Sequence, residues 1–126
     1  MKKLGILAVY LFGSEAEKTN AINSDIDIGI LLKNKKHLGD TRPLYNAVYS
    51  ELAKVFKPSF LRELDIVFLK NAPLTLQYEA ITKGKIIYED DPVQRADYEE
   101  MVINQYMDFK PVLEYFDKIA SSRYAS

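Results

Sequence analysis

The chain has 126 residues, 17 basic and 18 acidic side chains, a net charge of -1 and no cysteine. That length suits one domain with one core. The balanced charge speaks against a surface built for phosphate backbones, and the missing thiols exclude disulfides and thiolate metal sites.

Taken in chain order, the first element is a buried strand over Leu4 to Phe12, apolar and bounded by Gly13. This is also the longest apolar run, and it is far too short to span a bilayer. Met1-Lys2-Lys3 before it resembles the start of a leader, but no small-residue cleavage site follows, so a cytoplasmic protein without membrane contact is expected. A short helix is expected from Ser14 to about Asn20, then a loop to Ser24 and a second strand over Asp25 to Lys33. Thr41 to Phe56 reads as an amphipathic helix whose stripe is Leu44, Val48, Leu52 and Val55, with Pro43 in its first turn and Pro58 beyond its end.

Leu61 to Leu69 is a third strand, and Pro73 to Thr82 a helix closed at Lys83-Gly84 in the manner of a glycine cap. A short strand, Lys85 to Tyr88, precedes a long helix that starts at Asp90-Asp91-Pro92. Its apolar stripe is Met101, Val102, Tyr106, Phe109, Leu113, Phe116 and Ala120. Pro111 should kink or divide it, because the ring clashes with the preceding turn. Strands alternating with helices imply an α/β architecture, a small sheet flanked by helices, forming a single domain over 1–126. Residues 92–120 form a C-terminal helical segment with apolar side chains on more than one side, the mark of a partner surface.

Three pieces of sequence carry chemistry. The first is Leu11-Phe12-Gly13-Ser14, a strand end that opens a helix. Gly13 lets a phosphate approach the backbone, and Ser14 offers a hydroxyl and an N–H at a helix start. Alone, Gly-Ser at a strand end is commonly only a turn. The second is Ser24-Asp25-Ile26-Asp27-Ile28-Gly29-Ile30. On a strand Asp25 and Asp27 share one face, while Ile26 and Ile28 share the other. Carboxylates side by side repel unless a cation joins them, and hard oxygen ligands suit Mg²⁺. Asp is also depleted in strands. The third is Leu64-Asp65-Ile66-Val67-Phe68, again one acid in an apolar strand. If this strand neighbours the second, three acids meet and suit two-metal phosphoryl chemistry.

The joint pattern of Gly13-Ser14, Asp25-x-Asp27 and a later strand Asp65 resembles the DNA polymerase beta-like nucleotidyltransferase superfamily. The size and the run Tyr10-Leu11-Phe12-Gly13-Ser14 look like its minimal members. Gln77-Tyr78-Glu79, then Gly84-Lys85-Ile86-Ile87-Tyr88-Glu89 and Tyr106-Met107-Asp108-Phe109-Lys110-Pro111, are similar to the MntA family of adenylyltransferase antitoxins. The resemblance implies transfer of AMP from ATP to a tyrosine of a cognate HEPN ribonuclease toxin, with two Mg²⁺ ions held by Asp25, Asp27 and Asp65. It implies that Gly13 and Ser14 bind the triphosphate and that a hetero-oligomer with the toxin is allowed. Many relatives carry Arg soon after Gly-Ser. Here the stretch is Glu15-Ala16-Glu17-Lys18, and Lys18 is the candidate phosphate contact, as a point charge without the guanidinium fork.

His37, within Lys33-Asn34-Lys35-Lys36-His37, reads as a solvated side chain. Two other functions compete. A transferase acting on a small molecule, such as an aminoglycoside, usually needs a further acceptor domain. A toxin-binding module that keeps the fold without catalysis would not need its three acids.

Overall fold

The computed structural model describes residues 4–13, 26–33, 42–56 and 64–124. The expected helix after Gly13, the loop before Asp25, the polar stretch around His37 and Pro58 lie outside the described residues. Within them the order is β1 (Ile6–Phe12), β2 (Ile26–Leu32), α1 (Arg42–Phe56), β3 (Leu64–Phe68), α2 (Leu74–Lys83), β4 (Lys85–Glu89) and α3 (Pro92–Tyr124). A single 3-10 turn, Leu69–Asn71, links β3 to α2.

The strands form one sheet in the order β3-β2-β1-β4. β2 and β3 run parallel, whereas β1 is antiparallel to both β2 and β4. β1 and β2 are central and apolar nearly throughout, as strands covered on both faces must be. One face packs Ile26, Ile28 and Ile30 with Ile6 and Val9 beneath Val48 and Leu52 of α1. The other packs Ala8, Tyr10, Phe12 and Leu31 beneath Ala80 of α2 and Tyr98 and Val102 of α3. Two irregularities adjust this layering. The β1–β2 register shifts by one residue between Ile6 and Ala8, so Leu7 and Ala8 join the same face. Ile87 is the extra residue where the β1–β4 register shifts.

Three expectations change. Val55, expected in the buried stripe of α1, is largely exposed; only Val48 and Leu52 of that helix are buried. The helix lies over β2 and β3, so its last turn runs out over a groove lined by Val9, Phe56, Ile87 and Tyr88. Pro111 does not divide α3, which continues helically to Tyr124. Pro111 is exposed, and a proline at such a position removes one N–H and one ladder bond while leaving the freed carbonyl open to solvent. Gly84 caps α2 with an extended backbone, φ -80° and ψ 170°, instead of the left-handed conformation of a glycine cap. Its lack of a side chain is needed for space. A Cβ there would stand 2.3 Å from the Ala80 carbonyl oxygen and 3.0 Å from that of Leu11.

The start of α3 is fixed as its sequence suggested. The Asp91 carboxylate accepts from the backbone N–H of Val93 and Gln94, and Gln94 returns its amide to Asp91. Lys33 pairs with Asp90, whose N–H donates to the Leu7 carbonyl at 2.8 Å. Gly29 matters for packing: a Cβ would come within 2.8 Å of Leu69 Cδ2, and Leu69 is fully buried. Gly29→Ala should therefore destabilise the protein by about 1–3 kcal/mol through overpacking. Urea unfolding reads this directly, and an unchanged midpoint would show that Leu69 moves aside freely.

Candidate active site

β1 ends at Phe12, and Gly13 turns the chain with φ +75°, a conformation that side chains disfavour. Phe12 pairs across the sheet with Asp27, so the two share the face that carries α2 and α3. Asp27 in turn pairs with Asp65 on parallel β3. Register partners on neighbouring strands sit about 5 Å apart with side chains on one side. The two acids therefore stand together on the sheet face where Phe12 lies, Asp27 half-buried and Asp65 exposed. Ile26, Ile28, Leu64 and Ile66, their chain neighbours, fill the opposite core.

Gly13 closes against this pair. A Cβ on it would lie 2.1 Å from Asp27 Oδ2 and 3.1 Å from Asp27 Cγ. The turn and the carboxylate are thus in van der Waals contact only because residue 13 has no side chain. α2 reaches the same corner, since Gly84 packs against the Leu11 carbonyl and Phe12 Cβ. The condition set by the sequence, that the third strand neighbours the second, is met, and Asp27 and Asp65 stand on one face with Gly13 beside Asp27. Ser14, Lys18 and Asp25 lie outside the described residues. Among the described residues no three acidic or imidazole side chains cluster. Phe12, part of the Leu11-Phe12-Gly13-Ser14 piece singled out in the sequence but given no role of its own there, is the register partner of Asp27 on β1.

Like charges directly opposite on adjacent strands repel, and a cation bound between them would relieve that repulsion. The donor set consists of hard carboxylate oxygens, beside a turn whose glycine leaves the backbone open to a phosphate. This fits Mg²⁺ bridged to a polyphosphate.

Below the corner, a polar network ties β1 to α3. The buried Tyr10 hydroxyl donates to Glu99 Oε1 at 3.0 Å, and Arg95 bridges Glu99 at 2.6 Å and Glu89 of β4 at 2.5 Å. Tyr98 donates to Gln77 at 2.7 Å, and Gln77 donates to the Ala72 carbonyl. Burial first, then the Glu99 charge, push both phenols well above the ordinary tyrosine range. Burial works against the Arg95 charge, but hydrogen bonds and attraction from Glu89 and Glu99 outweigh it and raise its pKa.

A phenol whose folded pKa exceeds its unfolded value stabilises the protein fully below about pH 10, and that contribution is lost as pH rises further. The unfolding midpoint in urea should therefore fall between pH 10 and 12, and less steeply in Tyr10→Phe. Equal slopes would show that Tyr10 ionises as freely folded as unfolded.

Residues 1–93 match the family described as polymerase beta, nucleotidyltransferase. The chain belongs to that nucleotidyltransferase family. The expected fold class, a mixed sheet flanked by helices with a long final helix, is the one observed. The chain is 35% identical over 80 residues, 64% of its length, to protein adenylyltransferase MntA of Shewanella oneidensis. That alignment covers 52% of the relative, so the chain spans about half the length of the curated relative it matches. Among solved structures, one of a toxin–antitoxin with AMP-PNP superposes with TM-score 0.70, 23% identity and 94% of each chain covered. A second, the tri-AMPylated Shewanella oneidensis HEPN toxin in complex with MNT antitoxin, gives TM-score 0.62 and 21% identity, covering 95% of this chain and 89% of that one. At these identities the two structures speak for the nucleotidyltransferase fold. No helix among the described residues is long and apolar enough to cross a membrane.

Proposed function

We propose that this nucleotidyltransferase is an antitoxin that moves AMP from Mg·ATP onto a tyrosine hydroxyl of a cognate HEPN ribonuclease toxin and so silences it. The observation that carries the reading is the Asp27–Asp65 pair standing against the side-chain-free Gly13 turn. The likeness to a protein adenylyltransferase supports a protein acceptor.

In this reading Asp27 and Asp65, with Asp25 as the third carboxylate, hold two Mg²⁺ ions. The ions, when bound, neutralise the triphosphate and lower the pKa of the attacking hydroxyl. Gly13 and Ser14 cradle the phosphates, with Lys18 as an added cationic contact. The phenol oxygen forms a bond to the α-phosphorus, the bond to the bridging oxygen breaks, and pyrophosphate leaves. The phenol proton passes to the carboxylate pair, and Asp65, the more exposed of the two, faces the incoming side chain. Catalysis is then mainly positioning and charge neutralisation, as in phosphoryl transfer generally.

The test is incubation of the chain with Mg²⁺, α-labelled ATP and a HEPN toxin from the same organism. Label should appear on a toxin tyrosine with release of pyrophosphate. Neutralisation of the toxin without label would favour a binding module. Label on a small amine or sugar in place of protein would favour a small-molecule transferase.

A further inference from the structure

The end of the sheet that carries the acids is unevenly charged. Asp65 and Asp27 stand on β3 and β2, and Gly13 follows β1. Beyond β1 lies β4, which the chain enters from α2 through Lys83-Gly84-Lys85. The corner is thus negative on one side of the glycine turn and carries two lysines on the other.

Gly84 fixes where those lysines stand. A Cβ on it would be 3.2 Å from Phe12 Cβ and 3.0 Å from the Leu11 carbonyl oxygen, so the end of α2 is pressed onto the end of β1. Lys83 is one residue from this contact on α2, as Gly13 is one residue from it on β1. The two lysines differ in side. Lys85 is the register partner of Leu11, which packs with the core under α1. Phe12 and Asp27 share the opposite face, the one that α2 covers, and Lys83 belongs to α2. Both lysines are exposed, and neither side chain has an ion-pair or hydrogen-bond partner among the described residues.

We propose that Lys83 binds the terminal phosphates of the nucleoside triphosphate, the part that leaves as pyrophosphate. This rests on the function proposed above. Neighbouring strands lie about 4.8 Å apart, so β2 and the α2–β4 junction are about 10 Å apart with the end of β1 between them. A triphosphate with its α-phosphate at Asp27 and Asp65 crosses the glycine turn and spans most of that distance. The four-carbon stem of a lysine covers the rest. Charges then match along the ligand. The acids meet its metal-bridged end. The ammonium meets the end where negative charge builds as the bond from the α-phosphorus to the bridging oxygen breaks. Lys83 keeps its proton throughout, and its part is attraction. Lys85 is a control of equal charge, two residues away on the wrong side of the sheet.

The experiment measures calorimetric binding of Mg·AMP-PNP and of AMP to the wild-type chain, Lys83→Met, Lys83→Arg and Lys85→Met, with thermal unfolding of each. Lys83→Met should weaken AMP-PNP binding about 10-fold or more, as for loss of a hydrogen bond to a charged group, and leave AMP, which lacks the terminal phosphates, within about twofold. Lys83→Arg should restore most of the affinity, and Lys85→Met should match the wild type. Equal losses in Lys83→Met and Lys85→Met would overturn the contact, because the general field of the surface would then explain them. Equal losses of AMP-PNP and AMP would overturn it too. So would unchanged AMP-PNP affinity, with or without the lower melting temperature expected of a lysine that only answers the dipole of α2. All three outcomes leave the transferase reading intact. A wild-type chain that binds no Mg·AMP-PNP would remove that reading and this one together.

Discussion

Asp27→Asn should abolish the proposed nucleotidyl transfer while leaving the protein folded. Its carboxylate stands directly across from Asp65 on the neighbouring parallel strand, and neither acid belongs to the buried core. Asn keeps the shape and deletes one of two adjacent negative charges. The same charge is what a cation-bound triphosphate needs, so activity should fall on the order of 10³-fold, the scale seen when one preorganised electrostatic group is lost. Asp65→Asn should behave alike, and the double variant should be little worse than either, because the two act as one unit. Rates come from pyrophosphate release and stability from thermal unfolding. A variant that loses stability and keeps its rate would reverse the assignment and make Asp27 structural.

Gly13→Ala should be nearly as damaging for a different reason. The backbone at 13 has φ +75°, which costs an alanine about 1–2 kcal/mol. More important, the added Cβ would stand 2.1 Å from Asp27 Oδ2, so the carboxylate must swing away or the turn must open. Either movement takes the ligand out of line with the site where phosphate would lie. Since displacements of about 1 Å are worth on the order of 10²-fold, a loss of that size is expected, with only a few degrees of change in melting temperature. Activity within about threefold of wild type would mean that the turn does not position Asp27.

How much of this was legible from the chain depends on which physical effect sets each feature. Acids inside apolar strands stood out because burial and charge conflict locally, and Asp27 and Asp65 are both where that conflict placed them. Their direct pairing was not readable, since strand order and register come from long-range packing. The helix start at Asp91-Pro92 depends on neighbours three residues away and was read correctly. Gly84 was assigned to the right place with the wrong cause, because its need is the nearness of Leu11 and Phe12, far away in sequence. Val55 fits the periodicity of α1, but periodicity says nothing about where the sheet beneath it stops. Pro111 followed a local steric rule whose cost an exposed stretch of a long helix absorbs. The polar network of Tyr10, Glu99, Arg95 and Glu89 joins three elements and has no short-range signature at all.

A crystal structure of the chain with Mn²⁺ and AMP-PNP, read by anomalous scattering, tests the site most directly. A metal peak within about 2.2 Å of carboxylate oxygens from both Asp27 and Asp65, with the triphosphate lying along the Gly13 turn, is the result this account predicts. Nucleotide bound elsewhere, or a metal that ignores both acids, would contradict it.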